Sequence, residues 1–399
     1  MTTRPAHSAS EESLTAEDLG IPLDARAPFT FSPGQTWSPL VLSLPHVGLS
    51  WPAELRPKPQ ADIARNADYE VQRLYRGASA LGVASVTAIY SRLVVDLNRA
   101  DDDIARSLVP DHPAPRPRRV PGDPNSTHPA AHEPERAGRG VVWTHAVGNV
   151  RVLEGPMRYA AFSERIRRYH TPYYRALEIL LERRRERFGF AILLDAHSMP
   201  SSVGIDLVLG TQGGDACDPA IARVAHEALG PDLSPVAGAP SNPTIIMRRD
   251  FPYQGGQVVR RFGRPHQDVH ALQLEVSRAL YMDEVSFQLH EDAEARRLST
   301  HLGTDRASGR GSGSRAGAQT PTPRQQLSLA DLQRRVRCLV TALAGISRDD
   351  LTVTPTVARC ADQPEGHPDA TGAGRDGSQS NDASRDTSPA PLTRGQGPK

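Results

Sequence analysis

Two histidines in this chain follow directly on apolar runs, the position at which open α/β sheets build their ligand sites. His46 falls in Ser43-Leu44-Pro45-His46-Val47-Gly48, where Gly48 allows close backbone approach, and His197 falls in Asp195-Ala196-His197-Ser198-Met199-Pro200. Neutral imidazole is the commonest nitrogen donor to zinc, and Asp-x-His is a spacing at which a carboxylate orients or co-ligates a metal-binding histidine. Each site has a plainer reading: a hydrogen-bonded loop histidine for His46, an ordinary turn for 195–200. Two strand-end histidines together favour a metal.

Charge also stands where it is costly. Glu275 interrupts Leu272-Gln273-Leu274-Glu275-Val276-Ser277-Arg278, an expensive placement unless the carboxylate is paired or poised for proton transfer. Beside a metal-activated water such a carboxylate is the usual general base of hydrolysis. The plainer alternative is a Glu275–Arg278 salt bridge. Asn98 and Arg99 end the run Leu93-Val94-Val95-Asp96-Leu97. A guanidinium there needs Asp96 as an internal partner or a substrate carboxylate held in bidentate fashion. Arg92 is a second candidate partner for Asp96.

The elements that must position these groups follow from periodicity. Apolar or β-branched runs at 39–44, 83–90, 190–194, 205–209 and 271–276 predict strands, and 93–95 predicts a short extended piece. Helical spacing of Val71, Leu74, Tyr75, Ala78 and Leu81 predicts a helix over 67–81, with Gly82 as its terminator. A basic amphipathic helix is expected over 158–187, broken near Pro172, and another over 328–346 with a Ser328-x-x-Asp331 start. Alternating strands and helices with fully apolar strands predict an α/β fold: a single mixed, mostly parallel sheet flanked by helices.

The 399 residues are 38% hydrophobic, a value depressed by stretches rich in Pro, Gly and charge. The rest of the chain stands at roughly 46%, ordinary for a globular core. The expected organisation is a loose leader at 1–35 and a catalytic-type domain at 36–302 carrying a disordered insertion at 108–140. A disordered linker at 303–326, a C-terminal helical segment at 327–358 packing on the domain and a disordered tail at 359–399 follow. A formal net charge of +1 argues against a generally basic nucleic-acid binder. No apolar run approaches the roughly 18 residues that span a bilayer. The start, MTTRPAHSASEES, lacks the apolar core of a secretory signal. Cys217, Cys338 and Cys360 make no disulfide or zinc-ribbon pattern. A cytoplasmic location, a small-molecule substrate and neither a nucleic-acid nor a membrane partner are the corresponding expectations.

Eight ordered stretches then carry a resemblance: SLPHVG, ADYEVQRLY, YSRLVVDLNR, GVVWTH, FGFAILLDAHSMP, DLVLGTQGGDACD, FPYQGG and HALQLEVSRALYMDE. From about Pro39 to Glu284 the chain resembles the N-formylglutamate amidohydrolase family, related to zinc carboxypeptidases and aspartoacylases. The resemblance implies the zinc carboxypeptidase (phosphorylase/hydrolase-like) fold and a zinc-dependent hydrolase of an N-acyl amide, typically N-formyl-L-glutamate. His46 and His197 would be zinc ligands. Glu275 would activate the zinc-bound water and pass its proton to the leaving amine. Arg99 and Asn98 would grip a substrate carboxylate, and Tyr253 would also touch the substrate.

Three positions depart from the pattern. Leu49 stands where zinc carboxypeptidases carry the glutamate of His-x-x-Glu, so a third ligand must come from elsewhere: Asp68 first, Glu54 second, with Asp195 orienting His197 instead. Pro172-Tyr173-Tyr174 replaces Pro-Tyr-His, so the role of that histidine is lost or moved to His170. Asp250-Phe251-Pro252-Tyr253 replaces Asn-x-Pro-Tyr and places an acid near a site expected to welcome an acidic substrate. Other carboxylated amides or peptides, and a non-catalytic binding role, are the competing readings.

Overall fold

The apolar runs at 39–44, 190–194 and 271–276 form the middle of a seven-stranded sheet in the computed structural model, which describes residues 12–23, 25–55, 57–105, 107–113, 138–230, 245–290 and 329–352. All of these lie within the unit Met1–Thr354. The strands are β1 Phe29–Ser32, β2 Leu40–Leu44, β3 Ala84–Ala88, β4 Ala191–Met199, β5 Leu207–Gly210, β6 Met247–Arg249 and β7 Val269–Ser277. Their spatial order is β1-β3-β2-β4-β7-β5-β6. The run β3-β2-β4-β7 is parallel, as is β5-β6; β1 and β5 lie antiparallel to β3 and β7. The sheet is therefore mixed and mostly parallel, as the sequence predicts.

Seven helices accompany it among the described residues: α1 Ala16–Leu19, α2 Ile63–Asn66, α3 Tyr159–Arg165, α4 Thr171–Phe188, α5 Pro219–Leu229, α6 Gln257–Phe262 and α7 Leu329–Ala344. Every residue of β2, β4 and β7 is buried, as expected where helices cover both faces. Strand alternation nevertheless sorts their side chains. Leu40, Leu42, Leu44, Ile192, Leu194, Ala196, Leu272, Leu274 and Val276 pack with α5 and α7. Val41, Ala191, Leu193 and Ala271 pack with α4 and α6. Ser43, Asp195, His197, Gln273 and Glu275 share the parity of this second set, which places them on the α4/α6 face. None of the helices described is long and apolar enough to cross a membrane.

Several elements differ from the periodicity reading. Residues 67–81 form two 3-10 helices, Val71–Tyr75 and Ala78–Leu81, rather than one α-helix. Ala67 is extended, and Glu70 and Gly77 adopt left-handed backbone (φ 60° and 87°), which stops a continuous helix although its apolar spacing survives. Leu93 and Val94 are buried in a turn and Val95 just after it, none of them in a strand. The break expected near Pro172 lies just before it, as a π-helical turn at Ile166–His170. Proline cannot donate to the carbonyl four residues back, and the turn ahead of it widens.

The leader reading also needs correction. Within 1–35, Thr15 and Asp18 form a capping box on α1, and Phe29–Ser32 is an edge strand of the sheet. Glu12 makes a bidentate ion pair with the fully buried Arg184 of α4. The expectations for 114–137 within the insertion, for 303–326 and for 359–399 fall outside the described residues.

Candidate metal centre and active site

Register places the chemistry. Across β2, β4 and β7, Ser43 pairs with Asp195 and Asp195 with Gln273; two residues further along, His197 pairs with Glu275. These strands are parallel, so their C-terminal ends open at the same edge of the sheet. His46 follows β2 by two residues, and the backbone N–H of Asp68 donates to the His46 carbonyl at 2.9 Å, which brings a carboxylate from the next segment to the same spot. Gly48 permits this turn: a Cβ there would lie 2.3 Å from the Tyr90 carbonyl oxygen.

His46, Asp68 and His197 converge, each about 2% exposed, with their ligand atoms within 4.8 Å of one another. Asp68 Oδ2 lies 2.9 Å from His197 Nδ1 and 3.5 Å from His46 Nδ1. Behind each ring stands a second carboxylate. His46 Nε2 bonds Asp96 Oδ1 at 2.7 Å and His197 Nε2 bonds Asp195 Oδ2 at 2.7 Å. An N–H at Nε2 of each histidine therefore turns its Nδ1 toward Asp68, an arrangement suited to metal-ligating imidazoles. His46 Nδ1 is buried without a hydrogen-bond partner, although the ring is otherwise fixed. An orphaned imidazole nitrogen, a second imidazole and a carboxylate oxygen facing one point fit the donor set of a catalytic zinc.

Electrostatics favour a cation at this point. Burial disfavours charge on Asp68, but the adjoining His197 and His46 hold its carboxyl well below the usual range. Burial likewise opposes the charge on His197, yet Asp195 and Asp68 raise its pKa well above that of a free imidazole. A metal ion held by the three atoms would replace the proton that His197 shares with Asp68. Asp96 is buried and also held well below its usual range, by Arg92 and His46 against its own desolvation. Arg92 Nη2 bonds Asp96 at 2.7 Å, and Trp143 Nε1 donates to it at 3.0 Å beneath the Arg92 guanidinium.

Arg92 thus fills the internal ion pair, and Arg99 does not. Among the described residues the Arg99 guanidinium has no carboxylate partner, while its backbone carbonyl accepts from His170 Nε2 at 2.9 Å. The Asn98 amide also has partners within the protein. Its Oδ1 accepts from Val258 N at the start of α6, and its Nδ2 donates to Gln273 Oε1 at 3.3 Å, lying 3.2 Å from His197 Nε2. Tyr253 packs against the Met199, Ile205 and Val208 cluster. Glu275 is 8% exposed; burial pushes its pKa up to about 7, with His197 opposing and Asp68 reinforcing the shift. Arg278 makes no salt bridge with it, bonding Ser198 Oγ at 3.2 Å and approaching Asp68 Oδ1 at 3.8 Å.

The departures acquire physical explanations. Glu54 is not part of the cluster: its half-exposed carboxylate accepts from Tyr169 and pairs with Arg168. Leu49 is 43% exposed, and the carboxylate that faces both His46 and His197 is that of Asp68. Tyr174 donates its hydroxyl to the Leu97 carbonyl at 2.8 Å and stacks on His170 at 4.3 Å. Tyr174 and His170 thus clamp the backbone on either side of Asn98. Asp250 accepts from Thr211 N and Oγ1, tying the β5 and β6 loops together.

Two links escaped the sequence reading, which takes Asp96 only as a partner for an arginine and Tyr173 only as part of Pro172-Tyr173-Tyr174. Asp96 backs His46 across 50 residues of chain, and Tyr173 holds Ser43 Oγ at 2.9 Å, which in turn donates to Asp195 at 2.7 Å. No local spacing signals either link. Gln273 was findable, since it is a polar residue two positions from Glu275 on the same face of an apolar strand.

The comparisons with known proteins agree with this picture. The family described as N-formylglutamate amidohydrolase matches residues 38–282. An N-formylglutamate deformylase of Pseudomonas aeruginosa is 33% identical over 261 residues, covering 62% of this chain and 83% of that protein. One from Pseudomonas putida is 31% identical over 268 residues, covering 64% and 86%. The crystal structure of an N-formylglutamate amidohydrolase from Ralstonia eutropha JMP134 superposes with a TM-score of 0.60 at 24% identity, covering 80% of this chain and 98% of that one. That last likeness speaks to the fold.

Proposed function

This chain belongs to the N-formylglutamate amidohydrolase family, and on that premise we propose that it hydrolyses N-formyl-L-glutamate to formate and L-glutamate with a divalent metal, zinc foremost. His46 Nδ1, His197 Nδ1 and Asp68 Oδ2 would hold the ion. Bound there, zinc supplies a Lewis acid that polarises the formyl carbonyl and acidifies water. The convergence of those three atoms beside Glu275, which is in register with His197, carries the reading.

The chain's own groups do the rest. Glu275 accepts the proton of the attacking water and delivers it to the amide nitrogen as the C–N bond breaks. Gln273 occupies Oε1 of Glu275 at 2.8 Å, so Oε2 is the oxygen that exchanges protons. Burial raises this carboxyl above its ordinary range in the metal-free protein and the bound cation would lower it again, two opposing influences that suit a group which both accepts and donates a proton. Arg99, left unpaired by Arg92, binds a substrate carboxylate in fork geometry. The Asp96 and Asp195 carboxylates keep both imidazoles turned toward Asp68, and the Tyr173–Ser43 link keeps Asp195 in place.

The test is formate release from N-formyl-L-glutamate, with N-acetyl-L-aspartate and short peptides alongside and the metal content of the purified chain measured. Metal-dependent formate release with clear preference for the formyl substrate is expected. Faster turnover of the acetyl or peptide substrates would reassign the substrate class. Protein that neither retains nor takes up a stoichiometric metal, and releases no formate, would sink the enzyme reading.

A further inference from the structure

Gln273 is 3% exposed and lies between Glu275 and the loop that carries Asn98 and Arg99. A carboxamide has one accepting end and one donating end, and its neighbours here decide which is which. Its oxygen accepts from Gly256 N at 2.8 Å and from Asn98 Nδ2 at 3.3 Å. With both donors at that end, the Nε2 end must face Glu275, whose Oε1 it reaches at 2.8 Å.

Asn98 is itself immobile. Its Oδ1 caps the Val258 N–H at 2.9 Å, and a Cβ on Gly256 would fall 2.2–2.3 Å from its amide atoms. The chain of contacts therefore runs without a gap from the loop at Arg99, through Asn98 and Gln273, to the carboxylate of Glu275. Burial alone would leave Glu275 free to turn about its terminal bond, because a carboxylate rotates broadly there. The Gln273 N–H removes that freedom.

We propose that Gln273 is a positioning residue for the deformylation: its donated N–H fixes Oε1 of Glu275 so that Oε2 faces the water and the leaving nitrogen. Through Asn98, the same amide ties this orientation to the loop that grips the substrate carboxylate. The inference rests on the reading of Glu275 as the proton-transfer group, and the experiment separates the two.

Q273M, Q273E and E275Q are compared with wild type as full-length, zinc-supplemented protein, by steady-state formate release, thermal melting and metal analysis. Q273M removes donor and acceptor; Q273E keeps an acceptor for Asn98 and Gly256 but replaces the amide donor with a second carboxyl that must share a proton with Glu275 and so ties up the base. Both are expected to lower kcat roughly 10–100-fold, the range for lost outer hydrogen-bond partners of a catalytic group. In Q273E, which keeps the acceptor for Asn98, KM is expected to stay within about twofold with metal content unchanged; Q273M, which leaves the Gly256 and Asn98 donors unpaired, is expected to lower Tm as well. The proposal is overturned if kcat survives in either variant, or if its loss only follows lost metal or a raised KM. Full activity in E275Q would instead overturn the reading of Glu275 itself, whatever the Gln273 variants do.

Discussion

The two ends of α4 touch two buried ionic clusters that are closed in opposite ways. At its C-terminal half, Arg184 is wholly buried with Glu12 as a bidentate partner, the Leu40 carbonyl on its Nε and Trp37 against the guanidinium. One cation meets one anion. At its N-terminal turn, Tyr173 reaches through Ser43 into a cluster where Asp68, Asp96, Asp195 and Glu275 are all buried. Against them stand Arg92, the partly buried Arg278 and two imidazoles, one with an orphaned nitrogen. The structural cluster is closed by one pair, whereas the other packs four buried carboxyls around two imidazoles and leaves one donor atom unused. That crowding of carboxyls about an orphaned imidazole nitrogen, more than burial of charge alone, is what the proposed metal site rests on.

The sharpest way to break the comparison is to remove one carboxylate from each cluster. Glu275→Gln is expected to cut kcat by about 10²–10⁴-fold, the usual contribution of a positioned general acid–base, with metal content unchanged by elemental analysis. Removal of the anion in the structural pair should act on stability and leave catalysis alone. Glu12→Ala strands the Arg184 charge and should cost about 3–5 kcal/mol in denaturant unfolding. Formate release per folded molecule should stay at the wild-type value. A Glu12 variant that melts normally would mean that the leader's ion pair contributes no net stability.

This contrast also explains what was legible in the sequence. His46, His197 and Glu275 stand out because each breaks or ends an apolar strand, and period-2 alternation puts the two strand residues, His197 and Glu275, on one face. Asp68 was reachable only through the family resemblance, since nothing local says that its amide will bond the His46 carbonyl. The need to make that bond is also why residues 67–81, helical by spacing, begin extended at Ala67 and continue as short 3-10 turns. The leader was misread for a related reason. Its composition is polar, yet Glu12, Leu19 and Phe29 are buried by partners more than fifty residues away. Composition reports what a segment can bury alone, not what another segment will bury for it.

Arg99 gives a middle-sized test of the same idea. Arg92 and Arg184 are closed by Asp96 and Glu12, whereas Arg99 forms no ion pair among the described residues, its charge reaching Asp96 only from a distance. Arg99→Ala should therefore spare stability and raise KM for N-formyl-L-glutamate by roughly 10–100-fold, the equivalent of a charge-assisted hydrogen bond. An unchanged KM would remove Arg99 from the substrate site.

The smallest expected effect carries the opposite sign from the Glu12 variant. The Glu275 carboxyl, ordinarily near 4.5, is raised to about 7 by burial in the metal-free protein. The folded chain then binds more protons than the unfolded chain between these values, so stability falls as pH rises through that window. Replacing Glu275 by Gln removes this penalty. Metal-free Glu275→Gln should melt above wild type at pH 8, by about 2–4 °C for each kcal/mol relieved, and the difference should vanish by pH 4, where both states of the wild type are mostly protonated. In the loaded enzyme the bound cation would favour the carboxylate, so kcat/KM is expected to fall on acidification at a pH below that of the metal-free titration, where the base is lost. A Glu275→Gln variant that is less stable than wild type at pH 8 would show that its carboxylate is as well compensated as that of Glu12, and the distinction between the two clusters would collapse.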